Sequence, residues 1–518
     1  MTRDFGALAR PLDWGQAAPV GFLWVQRALA ARTEMPEFWL RLLPWCGGAA
    51  LPLLLWELVR RVMCTGAGAI AAVTAAGSLM ALRYSTEAKP YATDAAMAAV
   101  LLLLACLVRE APELKARWWT LAAAAVLAVF LSIPSVFVIA AIAVVLATDA
   151  TVRGSPHALR IGAPALAVAA LLFGVLWVMS YGPGASSAHL RAYWAPAMLD
   201  VTATDRVARV ARALTELTWI PLRWTGSLTG AAAGTALWMG GIAAVAAKDR
   251  RHALLLAMPV VLAGVASIAG LYPLSDRLAF FAVPGVWLAQ GSAVIGVRNV
   301  AFTQRSVVAN TRTAAVFVVV VSLAVAIWQF TDARRFLQAP GSLEPTRELF
   351  AKIDGEAGET PIYVFARSVP AWLVATHEGT WRQAPRLARW TALAGRATSP
   401  GFENLSRARP VRPGEGDSLI VRSAVRTELV GLAPGVQYRI AGAPVPAEPS
   451  PGWAQEEARR LAAAARPEVW LVASHFQAGT PSNELRPLIE AAGAAGLRIA
   501  EELRSGNEVV AIRLTKTP

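Results

Sequence analysis

Within twelve residues, Arg83-Tyr-Ser-Thr-Glu87-Ala-Lys89-Pro-Tyr91-Ala-Thr-Asp94 places two acids, two bases and two tyrosines between apolar stretches. Asp94 falls about one turn inside the next apolar run, where an ionisable group is costly and usually serves a function. Lys89 is one of only five lysines against 44 arginines, so a lysine here is not a habit of composition. An ion-paired loop tethering two helices is the plainer alternative. A second stretch, Leu271-Tyr272-Pro-Leu-Ser-Asp276-Arg277-Leu-Ala-Phe-Phe-Ala-Val-Pro284, brings another cation to the start of an apolar run. Arg277 could simply snorkel there, and Pro284 should bend the following helix. Together, Arg83, Lys89 and Arg277 would make a cationic site suited to a phosphate-linked lipid.

Two further clusters carry polar and aromatic groups. Arg10-Pro-Leu-Asp13-Trp-Gly-Gln16-Ala-Ala-Pro19 leads into an amphipathic stretch reaching Arg27. Trp14 and Trp24 suit an interfacial anchor, but anchoring does not need the Asp13 carboxylate. Arg191-Ala-Tyr193-Trp194-Ala-Pro196 reads as an aromatic belt or as a substrate-facing loop.

These clusters must be held by elements that suit lipid. Of 518 residues, 56% are hydrophobic and only 16% charged, with mean hydropathy +0.46. Soluble domains carry about 25% charged residues, and disorder is excluded by so much apolar surface. The net charge is +14, but Gly341–Pro518 holds 21 basic and 19 acidic residues, so the excess sits among the apolar segments. That is a topology signal and not a nucleic-acid footprint. Cys46, Cys64 and Cys106 match no metal spacing and read as small buried hydrophobes.

Runs near the ~20 residues that cross a bilayer number about ten. They lie near Trp39–Val59, Gly66–Leu82, Tyr91–Val108, Trp118–Ser132, Ile133–Ala147, Ile161–Ser180, Leu228–Ala246, Ala253–Leu271, Leu278–Val297 and Ala314–Trp328. The fourth and fifth abut at Pro134, where a tight turn or a kink is open. Loop charge decides for the turn. With the loop after the first span in the cytoplasm, inside loops hold 13 basic residues and the short outside loops hold Arg83, Lys89 and Arg277. Both ends then lie outside, and a chain that starts outside implies one further span upstream.

After Gln329 the composition changes. Ile362–Phe365, Ser418–Val421 and Val469–Ala473 read as buried strands, and Ala454–Ala465 and Asn483–Ala495 as helices, the second capped by Ser482 or Asn483 and ended by Gly496. Leu497–Leu503 and Glu508–Leu514 read as a closing hairpin. The expected fold is a polytopic α-helical membrane protein of about ten spans, residues 1–339, followed by a small extracytoplasmic α/β domain, residues 340–518.

The order of these pieces resembles the GT-C superfamily of polytopic membrane glycosyltransferases, in the bacterial branch related to protein mannosyltransferases and the lipid A aminoarabinose transferase. The matching segments are Pro11–Leu23, the Arg-Leu-Leu-Pro of Arg41–Pro44, Tyr84–Asp94 and Tyr272–Pro284, with Pro361-Ile-Tyr-Val and Val469-Trp-Leu-Val in the C-terminal part. Such enzymes carry an Asp-Glu pair directly after a first span. This chain begins too late to contain it, and Asp4 has neither a following Glu nor a preceding span.

The resemblance implies transfer of a sugar from a polyprenyl-phosphate donor to an extracytoplasmic acceptor (lipid, glycan or protein) in a bacterial inner membrane. Arg83, Lys89 and Arg277 would hold the donor phosphate. Asp13, Glu87 and Asp94 are the candidate carboxylates, with Gln16, Tyr91, Tyr193, Trp194 and Tyr272 lining the substrate. No cofactor is certain, a divalent metal stays open, and no nucleic-acid partner is expected. The rival readings are a catalytically degenerate relative that binds a lipid-linked sugar, and a transporter. Transporters commonly show repeats and mid-membrane polar groups, whereas here the ionisable residues gather toward one face.

Overall fold

The computed structural model describes residues 4–10, 17–30, 36–182, 194–219, 221, 228–275 and 277–303, then 346–365, 420–422, 427–430, 439–440, 443–444, 452–465, 467–474, 481–505 and 509–517, with a few isolated positions between. The chain divides into two compact units, the first within Ala17–Ala339 together with Arg3–Arg10, the second containing Pro340–Pro518.

The first unit is helical: α1 (Phe5–Leu8), α2 (Val20–Ala30), α3 (Pro36–Val62), α4 (Thr65–Gly77), α5 (Leu79–Thr86), α6 (Tyr91–Glu110), α7 (Lys115–Leu131), α8 (Ser135–Thr148), α9 (Ala150–Arg153), α10 (Ala163–Leu176, flanked by π turns), α11 (Arg206–Leu214), α12 (Leu228–Lys248), α13 (Arg250–Ile268) and α14 (Val283–Thr303). Among the described residues five helices are long and apolar enough to cross a membrane, and α4 with α5 makes a sixth if that bent pair is one span. The protein is a multi-pass membrane protein. Nine of the ten expected runs fall on these helices; the tenth, Ala314–Trp328, lies almost wholly outside the described residues. The second expected run is not continuous. It bends by 55° at Ser78, whose hydroxyl caps α5 by accepting from Ala81 N and donates to Pro221 O at 2.9 Å.

A charge network, buried at Arg109 and Asp149, gathers helix ends at one face. Arg109, near the C-terminus of α6, donates to Asp149 at 2.9 Å and Asp249 at 2.8 Å. Arg251 pairs with Asp149 at 3.1 Å, and Arg61 bridges Glu57 and Glu110. Lys248 Nζ donates to the carbonyls of Val62 and Met63 at 3.0 and 2.8 Å, the usual use of a cation at a helix C-terminus. The C-terminal ends of α3, α6, α8 and α12 therefore lie together. Since α7 also starts at this face, with Arg117 3.8 Å from Glu110, the chain must reverse at Ser132–Pro134. That break is a hairpin.

Helices approach closely where glycine allows it. A Cβ on Gly48 would overlap Ser85, and one on Gly241 would overlap the Ala289 carbonyl oxygen. Three expectations are corrected here. Cys46 is exposed on α3 and not buried in protein, while Cys64 is half-buried and only Cys106 is buried. Pro284 does not bend a helix. It sits in the first turn of α14, after the 3-10 turn Ala279–Ala282, where proline is tolerated.

The second unit holds α15 (Thr346–Glu356), α16 (Trp453–Ala464) and α17 (Pro481–Ala494) around a six-stranded sheet. Its strands are β1 (Ile362–Val364), β2 (Ile420–Arg422), β3 (Thr427–Val430), β6 (Glu468–Ala473), β7 (Leu497–Ser505) and β8 (Val509–Lys516), in the order β2-β3-β1-β6-β8-β7; β4 (Arg439–Ile440) and β5 (Ala443–Pro444) pair separately. β1 is parallel to β3 and β6, and β7–β8 is the expected hairpin. α17 opens on Pro481, not on Ser482 or Asn483, and Gly496 ends it at φ +82°. Its core joins Tyr363, Phe365, Leu461, Leu471, Leu488 and Ile512. Within it, fully buried Glu457 accepts from the Tyr363 hydroxyl and from Arg460.

Candidate functional site

Asp94 stands in the first turn of α6, fifteen residues before Arg109. At 1.5 Å rise per residue the two lie about 22 Å apart, so Asp94 marks the end of the bundle opposite the charge network. Ser132, at the α7–α8 hairpin, lies against the Asp94 carboxyl without closing a hydrogen bond of ordinary geometry. Asp94 Oδ1, Ser132 Oγ and Thr93 Oγ1 are all buried with no hydrogen-bond partner in the protein. A buried carboxyl left this way is expensive.

Aromatic rings surround this point. Tyr84 packs edge-to-face on Tyr91 and on Phe280, each at 5.1 Å between centroids. Tyr272 meets Phe137 at 5.1 Å and Phe281 at 6.2 Å, and its hydroxyl donates to Leu278 O at 2.8 Å. Burial pushes the Tyr272 hydroxyl well above the ordinary phenol range, and the charges of Asp94 and Tyr91 add to it. Tyr181, whose oxygen accepts from Val20 N, is within electrostatic range of Asp94. The Tyr272–Pro284 stretch is thus folded back on itself, with α5, α6 and α8 contributing the ring contacts.

Two cations sit differently from the sequence reading. Arg83 Nε donates to Glu87 Oε1 at 2.7 Å, both side chains about three-tenths exposed, and its guanidinium lies 6.0 Å from the Tyr84 ring centre. Glu87 is therefore engaged by a neighbouring cation. Arg277 lies over the Trp194 ring at 5.1 Å. Lys89 is exposed in the turn that leads into α6. Asp13, Gln16 and Tyr193, with Arg191 and Asp276, lie outside the described residues. Asp4 caps α1, accepting from Ala7 N at 2.7 Å.

Sequence reasoning missed Gln26. It is buried in α2 and donates to Leu40 O at 3.0 Å and Ala88 O at 3.4 Å, tying α2 and α3 to the turn between Glu87 and Lys89. The available signal was one amide in an otherwise apolar helix face. Among the described residues no three of His, Cys, Asp and Glu come together, and hard divalent cations need several oxygen ligands.

No protein-family model matches the chain, and no curated protein matches it in sequence. Among solved structures it is similar to ArnT from Cupriavidus metallidurans in the apo state, with 14% identity, TM-score 0.44, and coverage of 96% of this chain and 87% of that one. The same protein bound to undecaprenyl phosphate gives 13% identity, TM-score 0.44 and the same coverage. The Archaeoglobus fulgidus oligosaccharyltransferase tethered to an acceptor peptide gives 14% identity and TM-score 0.40 over 70% of this chain. This chain spans 55% of the length of that oligosaccharyltransferase. Identity this low says nothing of substrate, so the chemistry has to come from this chain's own residues.

Proposed function

We propose that this protein is a membrane glycosyltransferase of the GT-C kind, which moves a sugar from a polyprenyl-phosphate donor to an acceptor on the non-cytoplasmic face. The observation that carries the reading is the segregation of charge along the bundle. Arginines at one end are consumed by carboxylates, of which Asp149 is fully buried, while the other end presents Arg277 on Trp194, exposed Lys89, Arg83 paired with Glu87, and a buried Asp94 whose Oδ1 lacks a hydrogen-bond partner. Cations framed by aromatic rings at the end of an apolar bundle suit a phosphate whose alkyl chain stays in lipid.

In the reaction the acceptor oxygen or nitrogen attacks the anomeric carbon, the bond from that carbon to the phosphate oxygen breaks, and the proton passes to a carboxylate. Lys89, Arg277 and Arg83 stabilise the charge that develops on the leaving phosphate. Tyr91 and Tyr272 line the sugar or acceptor, and Asp94 with Ser132 orients a hydroxyl. Asp13 keeps its sequence-based role as the reserve base, with Gln16 and Tyr193 as substrate contacts. The localisation that accompanies this reading is a bacterial inner membrane.

The test is binding of undecaprenyl phosphate to full-length protein in nanodiscs, followed by transfer assays with polyprenyl-phosphate sugars. Lys89→Ala and Arg277→Ala should each weaken binding roughly tenfold, the scale of one charge-assisted contact. Unchanged affinity and turnover in both would sink the phosphate site. A second reading, a binding protein without turnover, is favoured by one fact: among the described residues, the site's two carboxylates are either paired or buried. Binding without transfer would establish it.

A further inference from the structure

We propose that Arg209 and Arg212 are positioning residues for Arg277, acting through the turn that carries Trp194; this rests on the phosphate-site reading above. The long segment between α10 and α12 reads from sequence only as arginine-rich, yet its arginines have definite work. α11 is nine residues long, and its Arg209 and Arg212 are one turn apart on one side. Arg209 Nε is fixed by Asp205 at 2.7 Å, and its Nη1 donates to Ala195 O at 2.5 Å and toward Met198 O at 3.4 Å. Arg212 Nη1 donates to Pro196 O at 3.0 Å. Both side chains thus spend charged donors on the carbonyls of the 3-10 turn Ala195–Ala197, whose N-terminal flank is Trp194.

The turn is held from its other side as well. Leu274 N donates to Ala197 O at 3.0 Å, and Leu199 N donates to the hydroxyl of buried Ser267 at 2.9 Å. Leu274 stands three residues before Arg277, on the same strand of chain whose Tyr272 closes on Leu278. The turn is therefore a wedge between α11 and the 267–278 segment, and it presents the Trp194 ring on which the Arg277 guanidinium rests at 5.1 Å. A cation stacked on an indole keeps its edge donors directed away from the ring. Shifting the wedge moves the ring and re-aims those donors. Neither α11 arginine needs to touch the ligand for this.

The experiment is a double-mutant cycle on the full-length protein in nanodiscs, read as affinity for undecaprenyl phosphate. Arg277→Ala should weaken binding roughly tenfold and Arg212→Ala several-fold. Arg212→Lys, which retains a charged donor for Pro196 O, should recover most of the loss and also guards against misfolding of the alanine variant. The double variant Arg212→Ala/Arg277→Ala should bind no more weakly than Arg277→Ala alone. Multiplicative losses would mean that Arg212 acts independently, and full affinity in Arg212→Ala beside a weakened Arg277→Ala would leave the phosphate site standing while removing the positioning role. If Arg277→Ala itself binds normally, the phosphate-site reading fails, whatever Arg212 does.

Discussion

At Asp249, burial and charge pull the carboxyl in opposite directions. Burial raises its pKa, but the Arg109 hydrogen bond, the Arg251 backbone N–H and the Arg109 charge outweigh it, so the value falls below the ordinary 3.8. A carboxyl depressed in the folded state contributes stability that is present above its unfolded pKa and is lost as pH falls through the folded one. Asp249→Asn keeps the α13 cap, where the side chain accepts from Arg251 N, but removes the charge. It should cost about 1 kcal/mol at pH 7, the side chain being one-third exposed. In detergent melts the gap between wild type and variant should close below about pH 4; a gap constant down to pH 3 would rule out the charge as its source. Gln26 tests the opposite end. Gln26→Ala leaves the Leu40 and Ala88 carbonyls without this donor, and undecaprenyl phosphate binding should weaken roughly fivefold, about 1 kcal/mol. The acids and bases of residues 83–94 were legible because an ionisable group beside an apolar run stands out. Gln26, Arg209 and Arg212 were not, because their roles lie in carbonyls distant in sequence.

At the scale of elements, hydropathy located the apolar helices from α3 to α8, α10 and α12 to α14 but not α9, α11 or α15, and loop charge chose the hairpin at Pro134 that the ion pairs around Arg109 require. What hydropathy averages over is a break inside an apolar run. Gly77-Ser78 offers a cap to the next helix, and that local bond wins over continuity at 55° of bend. β3 escaped for a related reason: four residues with one charge carry too little pattern to stand out. Close helix approach is equally silent in hydropathy, since an averaged score does not show where a neighbour leaves no room for a Cβ. Gly241 is the sharpest case, because a Cβ there would overlap the Ala289 carbonyl oxygen and force α12 and α14 apart, whereas a Cβ on adjacent Gly240 would meet only the Ala293 Cβ at an ordinary 3.9 Å. Gly241→Ala should destabilise by about 2 kcal/mol, in the range of overpacked cores, and Gly240→Ala by well under 1 kcal/mol. Thermal unfolding of the two variants side by side checks this. Equal melting would mean the helices are not in that register.

For the whole molecule the quantity to be tested is orientation, and the charge network is the observation that bears on it. Arg60, Arg61, Arg109, Arg117, Lys248, Arg250 and Arg251 lie at one set of helix ends, and cytoplasmic loops are the ones enriched in Lys and Arg. Taking that face as cytoplasmic, α12 runs inward, α13 outward, and α14 inward again, with Ile295 3.5 Å from a Cβ built on Gly66, just past the inner end of α3. The apolar run Ala314–Trp328, preceded by Arg298, Arg305 and Arg312, would then lead outward once more. The second unit, with a core of its own around Tyr363, Leu471 and Ile512, would then follow on the non-cytoplasmic side of the membrane. Its sequence holds no cysteine, so an oxidising compartment does not trouble its folding. An alkaline phosphatase fused after Pro518 should be active, and a fluorescent protein that matures only in the cytoplasm should stay dark at the same site. The same reporters placed in the Asp149–Ala158 loop should give the reverse. If the C-terminal fusion were fluorescent while the loop fusion kept its expected sign, one crossing after α14 would be missing. If both signs inverted, the cationic site would face the cytoplasm, and an acceptor outside the cell's inner membrane would be excluded.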